Sequence, residues 1–298
     1  MHMPALRPLG FGEILDRAFT LYRHNLVLFL GTSVLLMMAS FVGAMLLIGL
    51  GAVVMTVMPN LIGFLAMALV FVAAMALFTI PWGALARQAS QAYTGKHTSL
   101  GDGTEAGGGA AMTLLGSGII AGISLGVLML LVGLVVYFLN LMVAGLGISS
   151  LSVGMGIVSV LGFGAAFCLV TALYFAVVPA VIVEGKGPME AVTRSLELAQ
   201  GALPRIAGTM VVALLITYLP QIALGFVTGA FTGLGDPAQV GAQQVIAVLM
   251  QQLLSLAITM LTMPFLVNVM VVLYYDRRVR SEALDVQMVT DQLGLATA

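Results

Sequence analysis

Charge is scarce in this sequence: Lys, Arg, Asp and Glu make up 8% of its 298 residues. Ordinary soluble domains carry about 25% charged residues. Apolar residues instead make up 61% of the chain, and they form runs of about 20 or more residues, each long enough to cross a bilayer as a helix. The composition therefore excludes a soluble globular protein and predicts an integral membrane protein.

Residue types that serve redox and metal chemistry are also few. The single cysteine, Cys168, excludes an intrachain disulfide. The three histidines, His2, His24 and His97, are far apart in the sequence, which disfavours a metal site. A net charge of −1 provides no basic field to attract nucleic acid. We expect no metal, no cofactor and no nucleic-acid partner, and the absence of a catalytic residue set predicts that the chain is not an enzyme.

The apolar residues are grouped into six runs, which we predict to be transmembrane helices. They lie at residues 26–57, 61–86, 112–143, 151–183, 203–232 and 242–275. Their continuous apolar character excludes a membrane β-barrel, whose strands alternate apolar and polar residues. The predicted fold class is an all-α integral membrane protein with one membrane domain over 1–298, of which 281–298 form a cytoplasmic C-terminal tail.

All basic residues lie in the segments at one end of the predicted transmembrane helices. They are Arg7, Arg17, Arg23, Arg87, Lys96, Lys186, Arg194, Arg205, Arg277, Arg278 and Arg280. The connections on the other side contain a single charge, Asp236. Because loops rich in Lys and Arg stay in the cytoplasm, we predict that both termini are cytoplasmic.

A polar, amphipathic segment precedes the first apolar run. In FGEILDRAFTLYRHN, residues 11–25, the apolar and polar side chains fall on opposite faces of a helix, a pattern typical of a helix in the membrane interface. The pattern returns 177 residues later in PMEAVTRSLELAQG. Glu13 and Arg17 correspond there to Glu190 and Arg194, and each couple has the spacing of a helical ion pair.

A weaker third copy lies at residues 99–111, SLGDGTEAGGGAA, offset by 89 residues from the first. Its glycines disfavour a helix, and the choice between helix and loop stays open. We predict three units, about 11–98, 99–186 and 187–280, each an amphipathic interfacial helix followed by a transmembrane hairpin. The second helix of each hairpin contains one proline: Pro81, Pro179 or Pro264.

Three stretches resemble a bacterial membrane protein family. They are LRPLGFGEILDRAFTLYRHN, VPAVIVEGKGPMEAVTRSLELAQG and LYYDRRVRSEALD. Together they resemble the glycerophosphoryl diester phosphodiesterase membrane domain family, which includes YciC-like proteins. The resemblance implies a six-helix module of the bacterial cytoplasmic (inner) membrane. It does not imply phosphodiesterase activity, because no segment of the chain is available for the catalytic domain.

Three sets of residues are candidates for function. Gly118, Gly122 and Gly126 follow one another every four residues on the third span, a spacing that lets two helices approach closely, within the chain or in self-association. A polar stripe on the sixth span lines a cavity or bonds to neighbouring helices; it comprises Gln244, Gln251, Ser255 and Thr262. Four arginines are candidates for contact with lipid headgroups or for simple anchoring: Arg17, Arg23, Arg194 and Arg205.

Two functions are compatible with these features. The first is a non-catalytic scaffold or membrane subunit of a larger assembly, whose partners are the lipid bilayer and other membrane proteins or further copies of the chain. The second is a transporter, channel or lipid-handling protein for an uncharged or amphipathic substrate. An exposed small-residue face on the third span favours the first, and a continuous cavity along the Gln251 face favours the second.

Overall fold

The computed structural model describes residues 7–58, 60–145, 149–233 and 242–282. Within these ranges all regular secondary structure is helical, without a β-strand, and short connections join the helices. The helices are α1 Phe11–His24, α2 Leu26–Val57, α3 Leu61–Tyr93, α4 Leu100–Gly145, α5 Ser149–Leu173, α6 Val177–Glu184, α7 Pro188–Ala199, α8 Leu203–Gly233 and α9 Ala242–Glu282. Of the predicted connections, residues 59, 146–148 and 234–241 fall outside the described residues, as do 283–298 of the predicted tail.

Six helical stretches are long and apolar enough to cross a membrane. They are Leu26–Val57, Leu61–Tyr93, Leu100–Val143, Gly154–Glu184, Leu203–Gly229 and Ile246–Glu282. This confirms the prediction of an all-α, multi-pass membrane protein with six spans. The second and sixth spans continue beyond the predicted ends, because the polar residues that follow their apolar parts remain helical.

The glycine-rich segment 99–111 is a helix, which resolves the open choice between helix and loop. It is not a separate element, since residues 100–111 form the first turns of the 46-residue helix α4. The glycines permit close packing against α3. A Cβ on Gly107 would lie 2.4 Å from the carbonyl oxygen of Ile80, and one on Gly83 would lie 2.9 Å from Gly107 Cα. Packing between two backbones thus offsets the low helix propensity of glycine.

The fourth span is interrupted at residues 174–176, between α5 and α6. Pro179, in the first turn of α6, has no N–H to donate to the carbonyl of Phe175, so a continuous helix would lose a hydrogen bond there. Ser195 of α7 satisfies two of the groups that the break exposes. Its hydroxyl donates to the Leu173 carbonyl at 2.7 Å and accepts from the Ala176 N–H at 3.0 Å.

The buried core lies toward the end of the bundle that contains the basic residues, which we call the charged end. The last part of α9 is its centre, because nearly every side chain from Met263 to Tyr275 is buried. This part of α9 packs against α1, α2, α3, α7 and α8. Toward the opposite end the long helices expose large apolar side chains, including Phe138, Val160 and Phe226.

Candidate functional site

The first feature of the charged end is a cluster of ion pairs centred on Glu184, at the end of α6. The Arg194 guanidinium of α7 donates to both Glu184 oxygens at 3.1 Å and also contacts Glu282 of α9. Arg278 bonds to Glu282 at 2.9 Å, and the Tyr274 hydroxyl donates to Glu184 at 2.5 Å. Burial lowers the pKa of Arg194, but hydrogen bonds and charges from Glu282 and Glu184 raise it further, to a net value above the usual range. The cluster fastens α6, α7 and α9 together.

A second cluster surrounds Asp276, whose side chain is completely buried. It accepts a hydrogen bond from the backbone N–H of Leu9 at 2.7 Å. Arg280 lies 3.2 Å from the carboxylate, and Arg205 of α8 lies 3.3 Å from it. Both arginines also donate to the Leu9 carbonyl. A buried carboxylate is tolerated only with such pairing, and here the pairing joins the segment before α1 to α8 and α9.

The N-termini of α1, α4 and α7 are capped in related ways. Glu13 accepts from the backbone N–H of Gly10 at 2.6 Å, and Glu190 accepts from Gly187 at 3.4 Å. At the start of α4, the Ser99 hydroxyl accepts from the N–H of Asp102 at 3.1 Å. In α1 and α7 the carboxylate of the third helical residue thus bonds the N–H of the residue before the helix, where it also meets the positive end of the dipole. In α4 the residue before the helix instead accepts from the third helical N–H.

The charged partners of the two amphipathic segments differ from the predicted couples. Glu13 bonds to Arg7 at 2.7 Å, and Arg194 pairs with Glu184 and Glu282, whereas the sequence pattern paired Glu13 with Arg17 and Glu190 with Arg194. The hydrogen bond from Gly10 and then the Arg7 guanidinium lower the pKa of Glu13. The sequence therefore singled out Glu13 and Glu190, but as members of helical ion pairs and not as the caps that the structure shows.

A polar cavity of about 580 Å³ opens at the charged end. Two basic side chains line it, Arg87 from α3 and Lys186 from the loop after α6. Two acidic side chains also line it, Asp102 and Glu105, both from the start of α4. The segment that the sequence marked as a glycine-rich connection is thus one wall of a charged cavity.

A second cavity, of about 590 Å³, is almost entirely apolar. It lies between α1, the start of α2, α8 and α9, and its lining includes Phe19, Leu26, Ile216 and Phe265. Asp16 of α1 also contributes to the lining, as does Tyr22, whose hydroxyl donates to the Leu261 carbonyl at 2.9 Å. Burial raises the pKa of the Tyr22 phenol, so the hydroxyl stays neutral as a hydrogen-bond donor.

The glycine series of the third span is exposed on α4. A Cβ added to Gly118, Gly122 or Gly126 would meet no atom within 4 Å, and all three glycines are exposed. The apolar side chains beside them are each at least half exposed: Ile119, Ile123 and Val127. In the described part of the chain, no helix covers this face.

The polar stripe of the sixth span divides among different environments. Gln244 belongs to α9, but its side chain lies outside the described residues. The Ser255 carbonyl and the Thr259 hydroxyl accept from Gln221 of α8, at 3.4 and 2.6 Å. Thr262 lines both the apolar cavity and a separate cavity of about 140 Å³. Gln251 is half-buried. The bonds to α8 therefore involve the Ser255 backbone and the flanking Thr259, whereas Thr262 is the member of the stripe that lines cavities.

The four candidate arginines for lipid contact also differ in their surroundings. Arg194 and Arg205 are engaged in the two charged clusters, with side chains 19% and 28% exposed. Arg23 is exposed at the end of α1, and Arg17 is half-buried. Among these four, Arg23 has the surroundings that best suit contact with a headgroup.

The residues that organise the charged end most strongly were not among the predicted sites. Glu184, Ser195 and Asp276 each join different helices. One of them had a signal in the sequence: Ser195 is a polar residue among the apolar positions of α7. Asp276 and Arg280 also have the spacing of a helical ion pair, but the sequence does not reveal that Leu9 and Arg205 complete their cluster. Among the described residues, no group of His, Cys, Asp and Glu is arranged to hold a metal.

Comparison with known proteins identifies the family to which this chain belongs. A family model described as a domain of unknown function, DUF7847, matches residues 63–277. The match covers most of the chain, from the start of α3 into the charged end of α9, so the protein belongs to this family. No curated protein and no solved structure matches the chain.

Proposed function

We propose that this protein is a non-catalytic scaffold, or membrane subunit, of a larger assembly in the bacterial cytoplasmic membrane. The observation that carries the proposal is the exposed glycine series Gly118, Gly122 and Gly126 on α4. Small residues at this spacing let the backbones of two transmembrane helices approach, and van der Waals packing then drives association inside the bilayer. No other described part of the chain fills this face, so it is available to a helix from another copy or another protein.

The polar stripe on α9 supports this choice over transport. Beside it, Gln221 of α8 donates to the backbone carbonyl of Ser255 and to the hydroxyl of Thr259, which flanks the stripe. Such bonds hold helices together within a membrane. Thr262 lines two separate cavities in place of one path along the stripe.

The proposed arrangement in the membrane is three units of two spans each, with both termini in the cytoplasm. A separate amphipathic helix, α1 or α7, precedes the first and third units, whereas in the second unit the corresponding segment forms the first turns of α4. The matching caps of α1 and α7, each made by a glutamate at the third helical position, support the first and third copies of the repeat. In α1, Ile14 and Ala18 are buried, whereas Phe11 and Phe19 are 45% and 55% exposed. This division supports a helix that packs on the bundle with one side and meets the lipid interface with another. We also propose that the chain is related to the glycerophosphoryl diester phosphodiesterase membrane domain family, which it resembles in sequence and whose six-helix module would have this arrangement.

Replacement of one glycine tests the association. Gly122→Leu places a large side chain on the exposed face without a clash inside the chain. We expect the variant to fold normally but to lose its protein partner or its oligomeric state in native mass spectrometry. Gly49→Leu on α2 is the matched control, because a Cβ there also meets nothing within 4 Å and the residues four positions away, Met45 and Val53, are not small. Equal assembly of both variants and the wild type would contradict the proposal.

A lipid-handling function is the second candidate, favoured by the apolar cavity between α1, α8 and α9. Its volume of about 590 Å³ is in the range of small-molecule sites. A pull-down in mild detergent, through a tag on the C-terminus, distinguishes the two candidates. A stoichiometric protein partner or a second copy supports the scaffold. A single chain that retains one lipid, and loses it in Ile216→Trp, supports lipid handling.

A further inference from the structure

The polar cavity is lined by two basic side chains of the charged end that form no ion pair with another described residue. Arg194, Arg205, Arg278 and Arg280 all form ion pairs. Arg87 and Lys186 are half-buried, line the same cavity, and form no side-chain hydrogen bond or ion pair with any other described residue. Because neither has a bonded acidic partner in the described structure, both can bind an added negative group in the cavity.

The α4 wall of the cavity has the opposite charge. Asp102 and Glu105 are three residues apart, so they lie on neighbouring positions of one helix face. Neither forms an ion pair with Arg87 or Lys186 within the described structure. The four charges are therefore contributed by different walls and remain separate, two positive groups from α3 and the loop after α6 and two negative groups from α4.

We propose that this cavity binds a zwitterionic ligand that has a phosphate and a primary amine. The phosphate contacts Arg87 and Lys186, since guanidinium and ammonium groups both bind phosphate well. The amine contacts Asp102 and Glu105. A simple anion would also meet the two carboxylates, and a simple cation would meet the two basic groups, so a ligand with both charges satisfies the site best. The cavity volume of about 580 Å³ accommodates such a group.

This chemistry has two sources, a free phosphoamine or the headgroup of an aminophospholipid. The free probe is O-phosphoethanolamine, added to the full chain in detergent and followed by isothermal titration calorimetry. The lipid probe is a nanodisc with equal amounts of phosphatidylethanolamine and phosphatidylglycerol, followed by native mass spectrometry of the lipid that remains bound. Binding of the first identifies a soluble ligand, and selective retention of phosphatidylethanolamine identifies a lipid headgroup; either result supports the site.

Two neighbouring glycines provide a matched pair of variants. Gly109 lines the cavity, and a Cβ there meets nothing within 4 Å, so Gly109→Leu extends into the open space. Gly108 is equally open but does not line the cavity, so Gly108→Leu is the control. Both substitutions replace glycine with leucine in α4 and change the helix propensity equally. We expect Gly109→Leu to abolish binding of whichever probe binds and Gly108→Leu to preserve it.

Charge-removing variants test the assignment of the walls. Arg87→Gln and Glu105→Gln should each weaken binding about tenfold, the effect of losing one charge-assisted hydrogen bond. Inorganic phosphate and ethanolamine, added singly, should bind at least about tenfold more weakly than O-phosphoethanolamine. Thermal unfolding of each variant verifies that it is folded. The proposal is overturned if neither probe binds, or if Gly109→Leu binds as tightly as Gly108→Leu.

Discussion

Asp276 has more charged and backbone partners in the buried charged end than its own helix provides. Its carboxylate is completely buried between the Leu9 N–H, Arg205 and Arg280. Asp276→Ala removes the shared partner of all three groups and leaves two guanidinium groups near each other. Because removal of one partner from a buried pair is strongly destabilising, we expect a loss of about 3 kcal/mol in the free energy of unfolding.

The measurement is reversible unfolding in mixed detergent micelles, compared with Glu197→Ala. Glu197 also pairs with an arginine, Arg194, but at 3.8 Å and with its side chain 57% exposed. Exposed pairs contribute little, so this control should unfold almost like the wild type. Similar unfolding of both variants would show that the Asp276 cluster does not hold the N-terminal segment.

Ser195 binds α7 to the break between α5 and α6. Its hydroxyl replaces helical hydrogen bonds at the break between α5 and α6, and Ser195→Ala leaves the Ala176 N–H and the Leu173 carbonyl without that partner. A buried unsatisfied group costs about 1–3 kcal/mol. We expect a loss of that size, with faster hydrogen exchange at Ala176. Thr193→Ala is the control, because Thr193 is exposed and donates only to Met189 of its own helix; equal exchange in both variants would refute the role of Ser195.

At the scale of elements, the contact between α3 and α4 depends on particular glycines. Gly107→Ala places a methyl group 2.4 Å from the Ile80 carbonyl oxygen and 2.9 Å from the Ala84 nitrogen, both backbone atoms. The helices must move apart, and we expect a loss of about 1–3 kcal/mol in stability. Gly108→Ala, one residue further, meets nothing within 4 Å and should instead stabilise α4 by up to about 1 kcal/mol.

The opposite signs of these two effects are the basis of the test. Thermal unfolding of both variants in the same detergent, beside the wild type, gives the order Gly108→Ala, wild type, Gly107→Ala. If both substitutions stabilise the protein, α3 and α4 are not in backbone contact at Gly107. If both destabilise it, the glycines serve another purpose than close packing.

The elements also show what the sequence can predict and why. Long apolar runs are sufficient to predict six spans. Inside lipid every backbone N–H and C=O must be hydrogen-bonded within the protein, and a helix achieves this within one segment. Helix propensity alone does not determine segment 99–111, since Gly103 and Gly107 meet Gln88 and Ile80 of α3 in a contact between distant residues. The Asp276 cluster has the same character: its partners Leu9 and Arg205 come from distant parts of the sequence, so no local pattern predicts it.

At the scale of the whole molecule, the two ends of the bundle differ in construction. The charged end combines the buried part of α9 with two ion-pair clusters and the caps of α1, α4 and α7. Toward the opposite end, apolar side chains such as Phe138 and Phe226 are exposed, as expected for surfaces in contact with lipid or other transmembrane helices. In the proposed scaffold, the exposed spans are the surfaces that would contact other membrane proteins.

The orientation of the charged end in the membrane is the last prediction. Cys168 is the only cysteine, so a Cys168→Ser background accepts single reporter cysteines. Lys96→Cys lies in the exposed connection between α3 and α4 at the charged end, and Asn60→Cys lies in the exposed connection between α2 and α3 at the opposite end. Because basic loops remain in the cytoplasm, a membrane-impermeant maleimide should label Asn60→Cys in intact spheroplasts and Lys96→Cys only in inverted vesicles. The reverse pattern would place the charged end outside and contradict cytoplasmic termini. Labelling of both cysteines on the same side would show that the predicted span Leu61–Tyr93, which lies between them, does not cross the membrane.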